Sequence, residues 1–298
     1  MTSRYIVVYQ MGKVASTSIV ATLTERDGIE AVQSHFLGEK ALAALIPSIT
    51  NADVPQYFFK NQFGQFFENV RTTRRINRIR AGLIPTERLL VISLSRNPIE
   101  WARSSVVQDV EGYLAIFTNI CKMQSLSSET EEEAVTSGLK YILNASCKLL
   151  EKMGGIDAFL ANTASYSAKF RNTIFEENPG SARLFMMLLR PAEWFEKHFE
   201  VALGVDLKGM EKNANIWTAS SPNADYVIVR YEEMAVALPR WLQDNGICTI
   251  SKLKRENESG EKKFAKEVAD VFKSAAGRRF NKIYADTQYC RNFHYSAS

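Results

Sequence analysis

Lys13, Ser16, Thr17 and Ser18 bring anion-handling groups together within Tyr9 to Ile19, YQMGKVASTSI. The apolar run Tyr5 to Tyr9 precedes them, and Ile19, Val20 and Leu23 give an apolar helical face after them. The order therefore reads buried parallel strand, tight turn, helix. Gly12 permits a turn that a side chain would obstruct, and the three hydroxyl residues bring oxygens and backbone N–H groups to the opening of the helix. A helix start attracts anions, and Lys13 adds a full positive charge, so the implied guest is a phosphate or a sulfate ester. Any one of these residues fits an ordinary strand-to-helix connection with a capping serine; the combination favours an anion site. The turn is not the triphosphate P-loop, which needs a glycine five residues before the Gly-Lys pair and Ser or Thr after the lysine to hold magnesium. Val7 and Val14 stand there instead. The expected anion is metal-free.

A second cationic turn follows Leu89 to Leu94 (LLVISL), a continuously apolar interior strand that ends in Ser95-Arg96-Asn97-Pro98. Asn97 suits an N-cap and Pro98 a first helical turn, so Arg96 sits at a strand-to-helix switch. Ile99, Ala102, Val106, Val110, Tyr113 and Phe117 mark one face of that helix, and Ser104 falls about 9 Å along its axis. Ile29 to Phe36 reads as another short strand, delivering His35 near its end. Parallel sheets hold ligands beyond the carboxyl ends of their strands, which places His35 on the edge of Lys13 and Arg96.

The remaining elements position these residues. Gly38 to Ile46 reads as a short helix closed by Pro47, and a longer helix spans about Phe58 to Ala81. On it Phe63, Phe66, Phe67 and Val70 form a stripe expected to pack into the core. Arg71, Arg74, Arg75 and Arg78 share a face, either a solvated surface or a landing strip for an anionic acceptor. After a polar loop at Ser125 to Glu133, helices from Glu133 to about Phe175 suggest an insertion over about 120–180. Ala182 to Leu189 (ARLFMMLL) reads as a strand, Glu193 to Leu203 as an amphipathic helix with His198 a surface or packing residue. Tyr226 to Arg230 reads as a further strand leading through Tyr231 into a helix to Trp241. A long charged helix, Glu261 to Tyr284, precedes an aromatic tail with Tyr289, Phe293, His294 and Tyr295. With no internal repeat and no low-complexity linker, one domain, 1–298, is expected.

The composition is that of an ordinary globular chain: 46% hydrophobic and 23% charged residues in 298, enough for a substantial core. A net charge of +4 tolerates acidic ligands without itself implying nucleic acid. Cys121, Cys147, Cys248 and Cys290 lie far apart in no metal-ligand pattern, as expected of reduced thiols. The first strand begins almost at once, and no stretch has the length of a membrane span, so a cytoplasmic chain is expected.

The two turns together resemble the sulfotransferases that use 3′-phosphoadenosine 5′-phosphosulfate (PAPS). GKVASTS is similar to their 5′-phosphosulfate loop. LSRNPIEWARSS is similar to their 3′-phosphate motif, in which a serine follows an arginine by eight positions, as Ser104 follows Arg96. The nearest likeness is to the bacterial branch associated with capsular polysaccharide synthesis, in which GKVAST, SRNP and an aromatic C-terminal tail recur. His294, between Phe293 and Tyr295, departs from the usual pattern of that tail.

The resemblance implies a three-layer α/β sandwich with a central, mostly parallel sheet, P-loop-like topology and a helical insertion. It implies PAPS as donor, a hydroxyl acceptor such as a saccharide, and no metal. Gly12 would belong to the donor loop, Lys13 would contact the sulfuryl group and bridging oxygen, and Ser16, Thr17 and Ser18 would hold the 5′-phosphate. Arg96 and Ser104 would hold the 3′-phosphate, and Tyr231 would pack near adenine or serve structurally. Arg278 and Arg279 are a further basic pair for the 3′-phosphate. His35 is the candidate base for the acceptor hydroxyl, with a structural histidine as the alternative and Glu100, Asp109 and Glu111 in reserve. Two other readings are a nucleotide-dependent kinase with a degenerate phosphate loop, and a non-enzymatic protein binding acidic polymer or nucleic acid through Arg71 to Arg78.

Overall fold

Tyr5 to Tyr9 and Leu89 to Ser95 are buried along their whole length, as strands covered on both faces must be. The structure, a computed structural model, describes residues 3–12, 14–50, 62–250, 252–254 and 262–296. In chain order it contains β1 (Ser3–Tyr9), α1 (Ser16–Leu23), β2 (Ile29–Ser34), α2 (Gly38–Thr50), α3 (Gln62–Arg80), β3 (Glu87–Ser95), α4 (Pro98–Met123) and α5 (Glu131–Lys152). Short helices follow: α6 (Ile156–Ala161), α7 (Tyr166–Phe170), α8 (Ile174–Glu177), α9 (Pro179–Leu188) and α10 (Arg190–Trp194). A π-helical turn, Phe195–Glu200, leads into α11 (Val201–Leu203). Then come β4 (Glu211–Asn213), β5 (Ile216–Ser221), β6 (Ala224–Arg230), α12 (Met234–Asp244), α13 (Ala265–Lys273), α14 (Ala275–Ala285) and α15 (Gln288–Phe293).

Two compact units are present, Met1–Ser95 with Trp194–Asn257 and Arg96–Glu193 with Glu258–Ser298. The first holds an α/β sheet of six strands in the order β2-β1-β3-β6-β5-β4. β2, β1, β3 and β6 are parallel, while β5 runs antiparallel to both its neighbours. The chain leaves β1 toward β2 on one side, then crosses to β3 on the other side and continues outward to β6. The strand order therefore reverses between β1 and β3, where open parallel sheets form their ligand crevice. The second unit is helical among its described residues, with α4 and α5 packed on each other and on α13. Its aromatic core includes Phe159, Phe175 and Phe185, whose rings lie 4.9 to 5.2 Å from their neighbours.

Several expectations need correction. Ala182 to Leu188 is helical, belonging to α9, with Leu189 its C-cap: Asn178 caps it by accepting from the Ser181 N–H at 2.9 Å, Pro179 opens it, and Ser181, Leu184, Phe185 and Leu188 form its buried face. α2 runs through Pro47 to Thr50 instead of closing at it. Where one helix from Glu261 to Tyr284 is expected, Glu261 lies outside the described residues and α13, from Ala265, gives way to α14 where Ser274 turns extended (ψ 174°) and its hydroxyl bonds the Val271 carbonyl at 2.7 Å. The α3 stripe is not core: Phe67 and Val70 are exposed, and the buried face is Asn69, Thr72, Ile76 and Ile79. Polar residues can face inward there because they are bonded, Asn69 Oδ1 accepting from Ser34 Oγ at 2.5 Å. The side chain of Phe63 and the beginning of the expected helix at Phe58 lie outside the described residues. The hairpin of β4 and β5 was not anticipated.

Candidate functional site: the carboxyl edge of the sheet

β1 ends at Tyr9 and turns through Gln10 to Ala15 into α1. Gly12 has φ +89°, and a Cβ there would meet nothing within 4 Å, so the glycine answers to backbone conformation in an open turn. Ala15, the N-cap, is left-handed at φ 56°, an uncommon state for alanine, and its side chain can accept no hydrogen bond. No acidic residue stands in the first turn of α1, so nothing in that turn neutralises the positive end of its dipole. Thr17 is exposed at this end, whereas Ser16 and Ser18 are buried. Lys13 lies outside the described residues.

A residue absent from the anticipated set organises the turn. Gln10 is fully buried. Its side-chain oxygen accepts from the Gly12 N–H, and its amide nitrogen donates to Ser16 Oγ at 2.7 Å. Its backbone carbonyl accepts from His35 Nδ1 at 3.0 Å. A carbonyl only accepts, so Nδ1 carries the ring proton; Nε2 then presents its lone pair and accepts from the Gln33 amide at 2.7 Å. The sequence position of His35, just past β2, thus becomes a defined geometry: it is tied to the β1–α1 turn, with its basic nitrogen directed away from that anchor.

Tyr231 follows β6 in a 3-10 turn and is half-buried. Arg230, paired in register with Ser95, ends β6 at the same edge, a cation whose strand was foreseen and whose place beside β3 was not. It donates to the Asn215 side chain at 3.5 Å in the turn joining β4 and β5.

In the second unit, Arg96 and Asn97 link β3 to α4. Asn97 is the N-cap, its side chain accepting from Ile99 N at 3.0 Å and Glu100 N at 3.2 Å. Arg96 and Ser104 are half-buried on this segment. Of the reserve bases, Glu100 is paired with Arg103 at 2.5 Å, Asp109 marks a non-helical kink in α4, and Glu111 is exposed. Arg279 is engaged with Glu151 at 2.7 Å and Arg278 donates to the Lys273 carbonyl at 2.5 Å, so both have structural partners within this unit. Three clefts of about 270, 340 and 360 Å³ open here, none lined by Arg96 or Ser104.

The arginine stripe of α3 divides. Arg75 donates to Glu87 at 2.9 and 3.1 Å and to Glu30 at 2.5 Å, and its guanidinium lies 4.0 Å from the centre of the Tyr5 ring. Arg71 is an exposed partner of Glu68, and Arg74 and Arg78 are exposed. His198 stacks on Trp194 at 4.8 Å, a packing residue. Among the described residues no group of His, Cys, Asp and Glu is arranged to hold a metal ion, and no helix is long and apolar enough to cross a membrane. Compared with protein-family models, with curated proteins and with solved structures, the chain has no match in any of the three.

Proposed function

We propose that the chain is a sulfotransferase of the three-layer, P-loop-like type that moves a sulfuryl group from PAPS to an acceptor hydroxyl, a saccharide being the acceptor class the sequence resemblance favours. The observation that carries the reading is the adjacency of β1 and β3 at the reversal of strand order, each running directly into a turn whose sequence suits an anion. The resemblance assigns the 5′-phosphosulfate to Lys13 and the start of α1, the 3′-phosphate to Arg96 and Ser104, and the adenine side to Tyr231.

The chemistry required is an in-line displacement. The bond from sulfur to the bridging oxygen breaks as the bond to the acceptor oxygen forms, and negative charge grows on the departing phosphate. Lys13 and the α1 amides supply fixed positive potential for that charge. The acceptor proton goes to His35 Nε2, whose lone pair the Gln10 carbonyl fixes by holding the proton on Nδ1; Gln33 gives way to the acceptor. Gln10 also occupies the Gly12 amide, a group that the phosphosulfate would claim, so donor binding displaces its side-chain oxygen; Ser16 only accepts from Gln10 and keeps its own O–H to donate to the phosphate.

Calorimetry with adenosine 3′,5′-bisphosphate and turnover of PAPS test this. Wild-type protein binds the bisphosphate, Lys13→Ala abolishes turnover, and Arg96→Ala weakens the bisphosphate by about tenfold or more, the scale of one lost charge-assisted contact. Absence of bisphosphate binding by wild-type protein ends the reading.

A further inference from the structure

Arg96 lies between β3, which ends at Ser95, and α4, which begins at Pro98. One side chain bonds both of its peptide groups. The Arg96 N–H donates to Tyr289 Oη at 2.9 Å, and the Tyr289 O–H donates to the Arg96 carbonyl at 2.7 Å, across 193 residues of sequence. Tyr289 is 4% exposed, and burial drives its phenol well above its ordinary pKa, which keeps the hydroxyl proton available to donate.

The tail is folded to hold that ring still. Thr287 caps α15 by accepting from Cys290 N at 3.2 Å, and Tyr289 packs on Phe293 with ring centres 5.1 Å apart. His294 then takes the left-handed conformation (φ 55°), and the Tyr295 N–H returns to the Cys290 carbonyl at 3.0 Å. That reversal stacks Tyr295 against Tyr289 at 5.9 Å and 18°. The histidine that interrupts the aromatic tail is therefore an exposed helix stop, at a conformation His tolerates better than most residues.

We infer that Tyr289 is a positioning residue for the 3′-phosphate: by gripping both peptide groups of Arg96 it fixes the backbone from which that guanidinium is presented. The inference rests on the proposed donor site. A planar guanidinium discriminates a phosphate only if its base is oriented, so loosening the backbone costs affinity for the 3′-phosphate and little else.

The test compares wild type, Tyr289→Phe and Phe293→Leu by calorimetry, using adenosine 3′,5′-bisphosphate and adenosine 5′-monophosphate. Tyr289→Phe keeps the ring and removes both bonds; it weakens the bisphosphate by about tenfold and leaves the monophosphate within about twofold. Phe293→Leu, which thins the packing but keeps the hydroxyl, lowers the melting temperature without changing the ratio of the two affinities. Equal loss for both nucleotides, or none, in Tyr289→Phe overturns the inference while leaving the donor reading standing if wild type still binds. Failure of wild type to bind the bisphosphate overturns both. Should Tyr289→Phe not fold, hydrogen exchange on wild type decides: the Arg96 amide is protected, and more so with bisphosphate than with monophosphate. Exchange of that amide at an unprotected rate, or equal protection by the two nucleotides, overturns it.

Discussion

Asp225 carries much of the charge pairing at the amino edge of the sheet, opposite the proposed donor site. Arg88 grips its two oxygens at 2.7 and 2.8 Å, Ser220 donates at 3.0 Å and Arg4 approaches to 3.4 Å. Burial works against its charge, but these hydrogen bonds and the nearby arginines outweigh it and hold the carboxyl below its usual value. The depressed folded pKa gives stability that is fully present above the unfolded value of about 3.9 and is lost as pH falls through the folded one. Asp225→Asn should cost about 2 kcal/mol at neutral pH and flatten the acid limb of a stability-against-pH curve below about pH 4. Denaturant melts of both proteins from pH 2 to 7 check this; an unchanged acid limb would refute it. Individual residues were unevenly legible. His35 could be placed on an edge because strand direction dictates it, but its tautomer depends on Gln10, which looks like the unremarkable end of an apolar run. Arg75 was indistinguishable from its exposed neighbours because its partners, Glu30 and Glu87, are distant in sequence.

Elements were readable where one signal dominated and misread where two competed. β1 and β3 are continuous apolar runs with no competing cap, and both were found. ARLFMMLL is as apolar, yet Asn178-Pro179 supplies a cap and a first turn, and burial recurs at three and four residues. That start signal identifies the helix. β5 escaped because it is half-exposed, with Trp217 its buried residue, so no apolar run announces it. The break at Ser274 leaves no room for a side chain at Gly277: a Cβ there would collide with the Phe272 carbonyl, with the Phe272 Cα only 2.5 Å away. Gly277→Ala should therefore destabilise by about 2 kcal/mol, lowering the melting temperature by roughly 5 °C. Gly112→Ala, at an exposed helical site where a Cβ meets nothing within 4 Å, should instead hold or raise it. Thermal melts that rank the two variants alike would contradict the α13–α14 geometry.

At the scale of the whole chain, the four cysteines report on the two units separately. All are free thiols; Cys121, Cys147 and Cys290 are buried in the helical unit, and Cys248 is half-buried in the sheet unit. Burial pushes Cys147 and Cys290 up to about 11 and raises Cys121 and Cys248 as well, so at pH 8 each has less reactive thiolate than an ordinary cysteine. Native protein should react with a thiol reagent such as dithiobis(nitrobenzoate) at Cys248 first, and the other three should become reactive together as the helical unit opens. Because Arg96, Ser104 and Tyr289 belong to that unit, adenosine 3′,5′-bisphosphate at about one hundred times its Kd should slow labelling of those three by about a hundredfold where reaction follows full opening of the unit. Adenosine 5′-monophosphate at the same concentration should protect them far less, since the 3′-phosphate is the group this unit is proposed to hold. Absence of protection by the bisphosphate would remove the helical unit from donor recognition and confine the site to the turn after β1, and equal protection by both nucleotides would remove the 3′-phosphate from that unit.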